Sequence, residues 1–184
     1  MEENTKTGHS SFKIGELTKG CVYCVEGKKL VLFITGVCPR NCWYCPVADN
    51  KYQNDVVYAN ERPVKNLDEV IHEAKLTEAK GAGITGGDPL AKLDRTIEYI
   101  KALKKEFGKN FHIHLYTSFD LVNEETLKKL FDAGLDEIRF HPDFDSNKNW
   151  KKIEIAKKFK WSVGIEIPCI PDFREKTFKM LEFF

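Results

Sequence analysis

The sequence predicts an α/β fold built on a parallel sheet, open or closed into a barrel. Three observations carry that expectation: short apolar runs that read as buried strands, amphipathic stretches of helical period between them, and the regular alternation of the two. The chain of 184 residues, 42% hydrophobic and 31% charged, suits one folded domain with a sizeable core.

In chain order, a polar segment to about Thr18 is expected to be mobile, and Lys29-Leu-Val-Leu-Phe-Ile-Thr35 reads as a strand buried on both faces. A cysteine-bearing loop and a polar stretch to Pro63 follow, with a short strand at Val56-Val57-Tyr58. Asn66 is placed to cap a helix striped by Leu67, Val70, Ile71 and Ala74, with Glu69 three residues after the cap and Gly81 as its end. Ala82–Thr85 is the next strand and runs into Gly86-Gly87-Asp88-Pro89; Ile97, Ile100, Leu103 and Phe107 stripe a helix closed by Gly108. The rhythm continues with strand Phe111–Thr117, helix Asn123–Ala133 stopped by Gly134, strand Glu137–Phe140, helix Asn147–Phe159, strand Trp161–Ile167 and a last helix capped by Asp172. Five strands joined at short intervals through helices imply parallel pairing with right-handed crossovers. The expected organisation is an extension over residues 1–28 that carries Cys21 and Cys24, followed by one α/β domain over 29–184.

Alternation within the strands separates two faces. His112, His114 and Tyr116 share one side of their strand and Ile113 and Leu115 the other; Arg139 and His141 oppose Ile138 and Phe140; Glu166 opposes three aliphatics. Helices must cover the apolar side, so the polar side lines an interior, which is costly unless it holds a polar ligand. A solvent-facing edge strand accounts for one such strand but not for three in succession. His112 lies too far from the strand's carboxyl end to be singled out, whereas His114, Tyr116 and Glu166 are substrate-side candidates; His72 and His9 read as carrying nothing.

Charge and composition exclude whole classes. Lys and Arg number 29 against 28 Asp and Glu, so there is no broad basic field for general nucleic-acid binding or an anionic membrane. No apolar run reaches the roughly 20 residues of a membrane span, and Met1–Ser11 lacks the pattern of a signal peptide. The expected location is the cytoplasm. In that reducing setting six cysteines read as metal or redox ligands rather than a disulfide framework. Five of them, Cys21, Cys24, Cys38, Cys42 and Cys45, fall within 25 residues, and only Cys169 lies apart.

Cys38-Pro-Arg-Asn-Cys42-Trp-Tyr-Cys45 places three thiols within eight residues directly after the first strand. Structural zinc wants four ligands, whereas three close thiolates suit an iron–sulfur cubane with one iron left open. In α/β folds ligands bind at the carboxyl ends of strands, where this loop should lie.

At this point the chain resembles the radical S-adenosylmethionine superfamily, whose signature is this CxxxCxxC spacing with an aromatic residue, here Tyr44, before the last cysteine. Gly86-Gly87-Asp88-Pro89 resembles the family's GGE-type motif, and CPRNCWYCP, VVYANERP, ITGGDPL, HLYTS and DEIRFHP together look like a largely archaeal branch related to pyruvate formate-lyase activating enzymes. The resemblance implies a partial (β/α)6 barrel. It also implies a [4Fe-4S] cluster on Cys38, Cys42 and Cys45, S-adenosylmethionine on the fourth iron, reductive cleavage to a 5′-deoxyadenosyl radical, and a one-electron donor of ferredoxin or flavodoxin type. Carried over by position, Gly86, Gly87 and Asp88 would meet the methionyl amino group, Thr117 and Ser118 the ribose, Arg139 the carboxylate with His141 beside it, and Tyr44 the adenine. Asp88 replaces the commoner Glu and Phe119 the usual small residue. The substrate, a protein or a small molecule, is not readable. Cys21-Val-Tyr-Cys24 is half of a metal knuckle, to be completed by Cys169, by a partner or by further sequence, or else a pair of free thiols; Cys169 equally suits a small apolar filler. Other classes remain: an iron–sulfur electron carrier or a structural zinc protein. Five strands against the family's six, and an end at Met180–Phe184 inside an apolar helical pattern, imply a shortened form without its last strand.

Overall fold

A computed structural model describes residues 5–7 and 11–184. His9 lies outside them. Its frame is a sheet of seven strands in the linear order β5 (Arg62–Pro63), β4 (Tyr58–Ala59), β3 (Lys29–Phe33), β6 (Gly81–Thr85), β7 (His112–Ser118), β8 (Glu137–His141) and β9 (Ser162–Ile165). Five of these strands are mutually parallel: β3 (Lys29–Phe33), β6 (Gly81–Thr85), β7 (His112–Ser118), β8 (Glu137–His141) and β9 (Ser162–Ile165). Antiparallel β4 (Tyr58–Ala59) and β5 (Arg62–Pro63) extend the β3 side. Because these five strands run parallel, their carboxyl ends lie together at one end of the sheet.

The strand register sorts the side chains. One face carries the row Gly83, His114, Glu137 and Ser162, and above it Arg139 beside Gly164. The other carries Leu32, Ile84, Leu115, Ile138 and Val163. The apolar face joins one core with Val70 and Ala74 of α2 (Leu67–Leu76), Ile100 and Leu103 of α3 (Leu93–Phe107), Leu127 and Leu130 of α4 (Glu124–Ala133), and Ile153 and Ala156 of α5 (Ile153–Ala156). The polar face is covered by α1 (Lys19–Val25), whose Thr18 accepts from the backbone N–H of Cys21 as its N-cap.

Several local expectations change. α2 stops at Leu76, where Thr77 Oγ1 donates back to the Glu73 carbonyl and Glu78 takes a positive φ; Gly81 instead opens β6. The strand expected at Val56–Tyr58 is the two-residue β4, and the helix expected over Asn147–Phe159 is a 3-10 turn at Trp150–Lys152 followed by one short turn of α5. Asp172 sits in the 3-10 turn Pro171–Phe173 and caps nothing: the residue before α6 (Arg174–Phe183) is Phe173, without a side-chain cap. Within the segment expected to be mobile, β1 (Thr5–Lys6) pairs with β2 (Phe12–Lys13).

The loop after β3 is held by backbone-to-backbone contact. Gly36 donates to the Asn54 carbonyl (2.8 Å) and accepts from Gln53 N (3.0 Å), so close that a Cβ on Gly36 would overlap the Lys51 carbonyl. A Gly36→Ala variant is therefore expected to lose about 2–3 kcal/mol of stability. Urea unfolding measures this directly, and an unchanged midpoint would contradict the contact.

Candidate functional site

The three cysteines of the sequence motif lie on the loop that leaves the carboxyl end of β3, all free and partly buried. Two clamps hold that loop. On one side Gln53, at positive φ, closes a two-way link to Cys38: Cys38 N–H donates to Gln53 Oε1 (3.3 Å) and Gln53 Nε2 donates to the Cys38 carbonyl (2.9 Å). On the other side Arg40 Nη1 donates to the His141 carbonyl (2.9 Å) and Tyr44 Oη meets His141 Nε2 at 3.0 Å. The partners of His141 identify its tautomer. Its Nδ1 lies 3.0 Å from the Glu166 carbonyl, which only accepts, so Nδ1 carries the proton and Nε2 accepts from Tyr44. The loop root is braced by Asp55, which accepts from Thr35 Oγ1 (2.9 Å) and from both Arg95 Nη atoms (2.6 and 3.1 Å); Arg95, and then Lys92, hold its carboxyl well below the usual range.

Gly86-Gly87-Asp88 runs alongside this loop. Gly87 N–H donates to the Thr35 carbonyl (2.7 Å) and Asp88 N–H to that of Val37 (2.9 Å), and a Cβ on Gly87 would sit 2.5 Å from the Gly36 carbonyl. The glycines thus permit close packing against the strand end that enters the cysteine loop, a reason additional to any approach to a ligand. The carboxylate of Asp88 is fully buried and turned toward β7. It accepts from Leu90 N (3.0 Å), Thr117 Oγ1 (2.7 Å), Ser118 Oγ (2.7 Å) and Ser118 N (3.1 Å). The hydroxyls of Thr117 and Ser118, expected at a ribose, are donors to this carboxylate.

Arg139 likewise faces the protein. Its Nε donates to Glu137 Oε1 (2.6 Å), Nη1 to Tyr116 Oη and Glu166 Oε2 (both 2.9 Å), and Nη2 to Thr18 Oγ1 (3.3 Å) and Cys21 Sγ (3.2 Å). At the lower end of the polar face Lys29 Nζ donates to the His112 and Ala82 carbonyls (2.6 and 3.1 Å) and meets His112 Nδ1 at 2.9 Å, so His112 presents Nε2–H toward Glu137 Oε2 at 3.5 Å. Burial lowers Lys29 to about 8 and lowers His112 to about 4 and His114 to about 2, with the charge of Lys29 the second cause for both histidines. His114 is buried beneath α1, Tyr116 is joined to Arg139, and Glu166 is half exposed at the open side near β9.

Among the described residues no three His, Cys, Asp or Glu are gathered as a single metal ion would require. Three thiols that each hold a separate iron at a cluster corner need not converge in that way, so the donor set and the clamped loop fit a cluster. Cys169 is exposed, which removes the apolar-filler reading, and it forms no such group with Cys21 and Cys24. Sequence reasoning missed Gln53, Asp55 and Arg95, which carry no motif, and Arg40, which lies inside the cysteine motif but was given no role; all four act through hydrogen bonds or ion pairs. No helix of the described residues is long and apolar enough to cross a membrane.

Two neutral buried histidines make the protein acid-sensitive. Their folded pKa values lie below the free value of 6.5, so the stability they contribute is present above pH 6.5 and is lost as pH falls toward 4. The expected slope is about 1.4 kcal/mol per pH unit for each histidine that titrates only on unfolding. His114→Gln should flatten it in denaturant titrations between pH 6.5 and 4; an unchanged slope would contradict this origin.

Comparison with known proteins agrees with this geometry. The family model described as the radical SAM superfamily matches residues 32–181. A Methanocaldococcus jannaschii protein that carries the name glycyl-radical enzyme activating enzyme is 48% identical over 91% of this chain and 47% of its own length. Biotin synthase of Pseudoalteromonas translucida is 32% identical over 65% of this chain and 34% of its own length. The solved structure of the radical S-adenosylmethionine methyltransferase TsrM from Kitasatospora setae, with cobalamin and a [4Fe-4S] cluster bound, shares the fold at a TM-score of 0.50 and 11% identity, over 88% of this chain and 34% of that one. The chain spans about half the length of the first of these relatives and about a third of the second. With the family model covering most of the chain and the cysteine loop seated at the carboxyl edge of the sheet, the protein belongs to the radical SAM superfamily.

Proposed function

We propose that this chain is the cluster- and cofactor-binding part of a radical S-adenosylmethionine enzyme, in which Cys38, Cys42 and Cys45 hold a [4Fe-4S] cluster. The observation that carries this reading is the cysteine loop clamped by Gln53 on one side and by Arg40 and Tyr44 on the other, at the edge where the parallel strands end. When bound, the cluster and S-adenosylmethionine supply a 5′-deoxyadenosyl radical that takes hydrogen from an unreactive C–H bond. The protein's part is to position the cofactor and exclude water.

In this reading the Gly86-Gly87 backbone faces the cofactor, and Asp88 acts by fixing that backbone to Thr117 and Ser118. Tyr44 and His141 line the adenine side as one hydrogen-bonded unit. Arg139 contributes by ordering Tyr116, Glu137 and Glu166 on the polar face, with Glu166 and the space beside Gly164 turned toward a substrate. The five parallel strands are then part of the family's (β/α)6 barrel. The similarity to an activating enzyme favours a protein substrate, with hydrogen abstraction at its backbone, and a reductant of ferredoxin or flavodoxin type. Thiols and a reducible cluster suit the cytoplasm.

Anaerobic reconstitution tests the assignment. Wild-type protein and Cys169→Ala should carry iron and sulfide, Cys42→Ala should lose them, and equal loss in both variants would refute the ligand set. With cofactor and a strong reductant the wild type should release 5′-deoxyadenosine; an intact cluster without that product would favour an electron carrier.

A further inference from the structure

We infer that Cys21 and Cys24 form a reversible disulfide site whose closure lifts α1 from the polar face of the sheet. The two thiols lie three residues apart on α1, hence on one side of the helix, and neither belongs to the cluster loop. They differ in setting. Cys21 Sγ accepts from Arg139 Nη2 at 3.2 Å, at the inner surface of the helix, whereas Cys24 is exposed. Partial burial of its sulfur raises the Cys24 thiol, and Lys29, then Arg139, offset only part of that rise.

Helix geometry links the bond to a movement. Residues three apart on an α-helix have Cβ atoms about 5–6 Å apart, and a disulfide needs about 3.5–4.5 Å. Tightening to a 3-10 turn eclipses those positions and closes the difference. The end of α1 already leans that way: Gly27 N–H donates to the Cys24 carbonyl, three residues back, at 3.1 Å. Drawing Cys21 toward Cys24 therefore removes its sulfur from Arg139.

The docking of α1 has little tolerance for such a shift. It approaches the sheet at Gly20, where a Cβ would lie 2.7 Å from Glu137 Oε2, 2.9 Å from Arg139 Nη2 and 3.2 Å from His114 Nδ1. Beneath that point His114 Nδ1 is buried without a hydrogen-bond partner, and Glu137 Oε2 has only the long 3.5 Å approach of His112 Nε2. One unsatisfied and one poorly satisfied buried atom make the docked state costly, and displacement of α1 would return both to water. The remaining ties are Thr18 to Glu137 and Arg139, and the edge of Tyr23 against His112.

The chemistry is thiol–disulfide exchange with a low-molecular-weight disulfide. The Cys24 thiolate attacks one sulfur of the oxidant and expels the other half as a thiolate, leaving a mixed disulfide. The Cys21 thiolate then attacks the Cys24 sulfur and expels the second half. The two protein thiols are oxidised by two electrons, and the oxidant leaves as two thiols that carry the two protons. A dithiol reductant reverses both steps. Nothing in the exchange depends on radical chemistry, so its failure and the failure of the proposed function are distinguishable.

The test uses the full chain with its cluster reconstituted, equilibrated against glutathione disulfide and glutathione under argon. Alkylation and peptide mass spectrometry map the thiols, and hydrogen exchange follows residues 19–25 and 112–114. The expected result is a Cys21–Cys24 link with roughly tenfold faster exchange in both segments, reversed by dithiothreitol. Cys24→Ser, which keeps the Cys21 contact with Arg139, should show neither change. The proposal is overturned if both thiols stay alkylatable, if either pairs with Cys169 instead, or if the link forms while exchange is unaltered.

Discussion

Arg139 removes a charge from water on the covered face of a parallel sheet, beside the equally buried Glu137, and such a pair persists only if the hydrogen-bonding capacity of both groups is nearly met. Five N–H contacts meet it on the arginine side: to Glu137, Tyr116, Glu166, Thr18 and Cys21. Strands β7 and β8, the residue that follows β9 and the start of α1 are thereby joined at one guanidinium whose fork no lysine would reproduce. The polar face can exist as an interior surface because of this residue. Its weak point is Glu137 Oε2, which is buried near Gly20 of α1 with only the long 3.5 Å approach of His112 Nε2.

From Arg139 a chain of contacts reaches the cysteine loop. Glu166 accepts from Arg139 with its side chain and from His141 with its carbonyl; His141 in turn accepts from Tyr44, two residues past Cys42. A second brace runs through backbone alone, where Gly36 and Gly87 let the cysteine loop and the Gly86-Gly87-Asp88 turn share hydrogen bonds with no side chain between them. Asp88 ties that turn to β7. Geometry where the cysteine loop leaves the sheet is thus set by rigid strand ends, while the loop carries the three thiols.

Much of this was legible from residue patterns. Alternation in Phe111–Thr117 and Glu137–His141 separated the two faces correctly, because a covered parallel strand leaves no other way to divide polar from apolar side chains. The spacing Cys38, Cys42, Cys45 marked the loop. What escaped was tertiary. α1 has no apolar stripe, since it packs through a glycine on charged groups, so its sequence Lys-Gly-Cys-Val-Tyr-Cys-Val looked like a knuckle in an extension. Asp88 and Arg139 were placed by position along the motif, and the side-chain partners that neighbouring strands bring to them, Thr117 and Ser118 for Asp88 and Tyr116 and Glu166 for Arg139, are reported by no local pattern. The α5 helix fell short of its expected length: after Ala156 the backbone bonds span three residues, Lys158 N–H to Ile155 and Phe159 N–H to Ala156, and Trp161 Nε1 also donates to the Ala156 carbonyl.

The central claim is that three thiols leave one iron of a cluster open to the amino and carboxylate groups of S-adenosylmethionine at this edge of the sheet. Electron paramagnetic resonance of the reduced, reconstituted protein with and without that cofactor tests it most directly. The cluster's g values should shift when S-adenosylmethionine is added, and should not shift with S-adenosylmethionine whose amino group is blocked. A reduced cluster with an unchanged spectrum at saturating cofactor would contradict it.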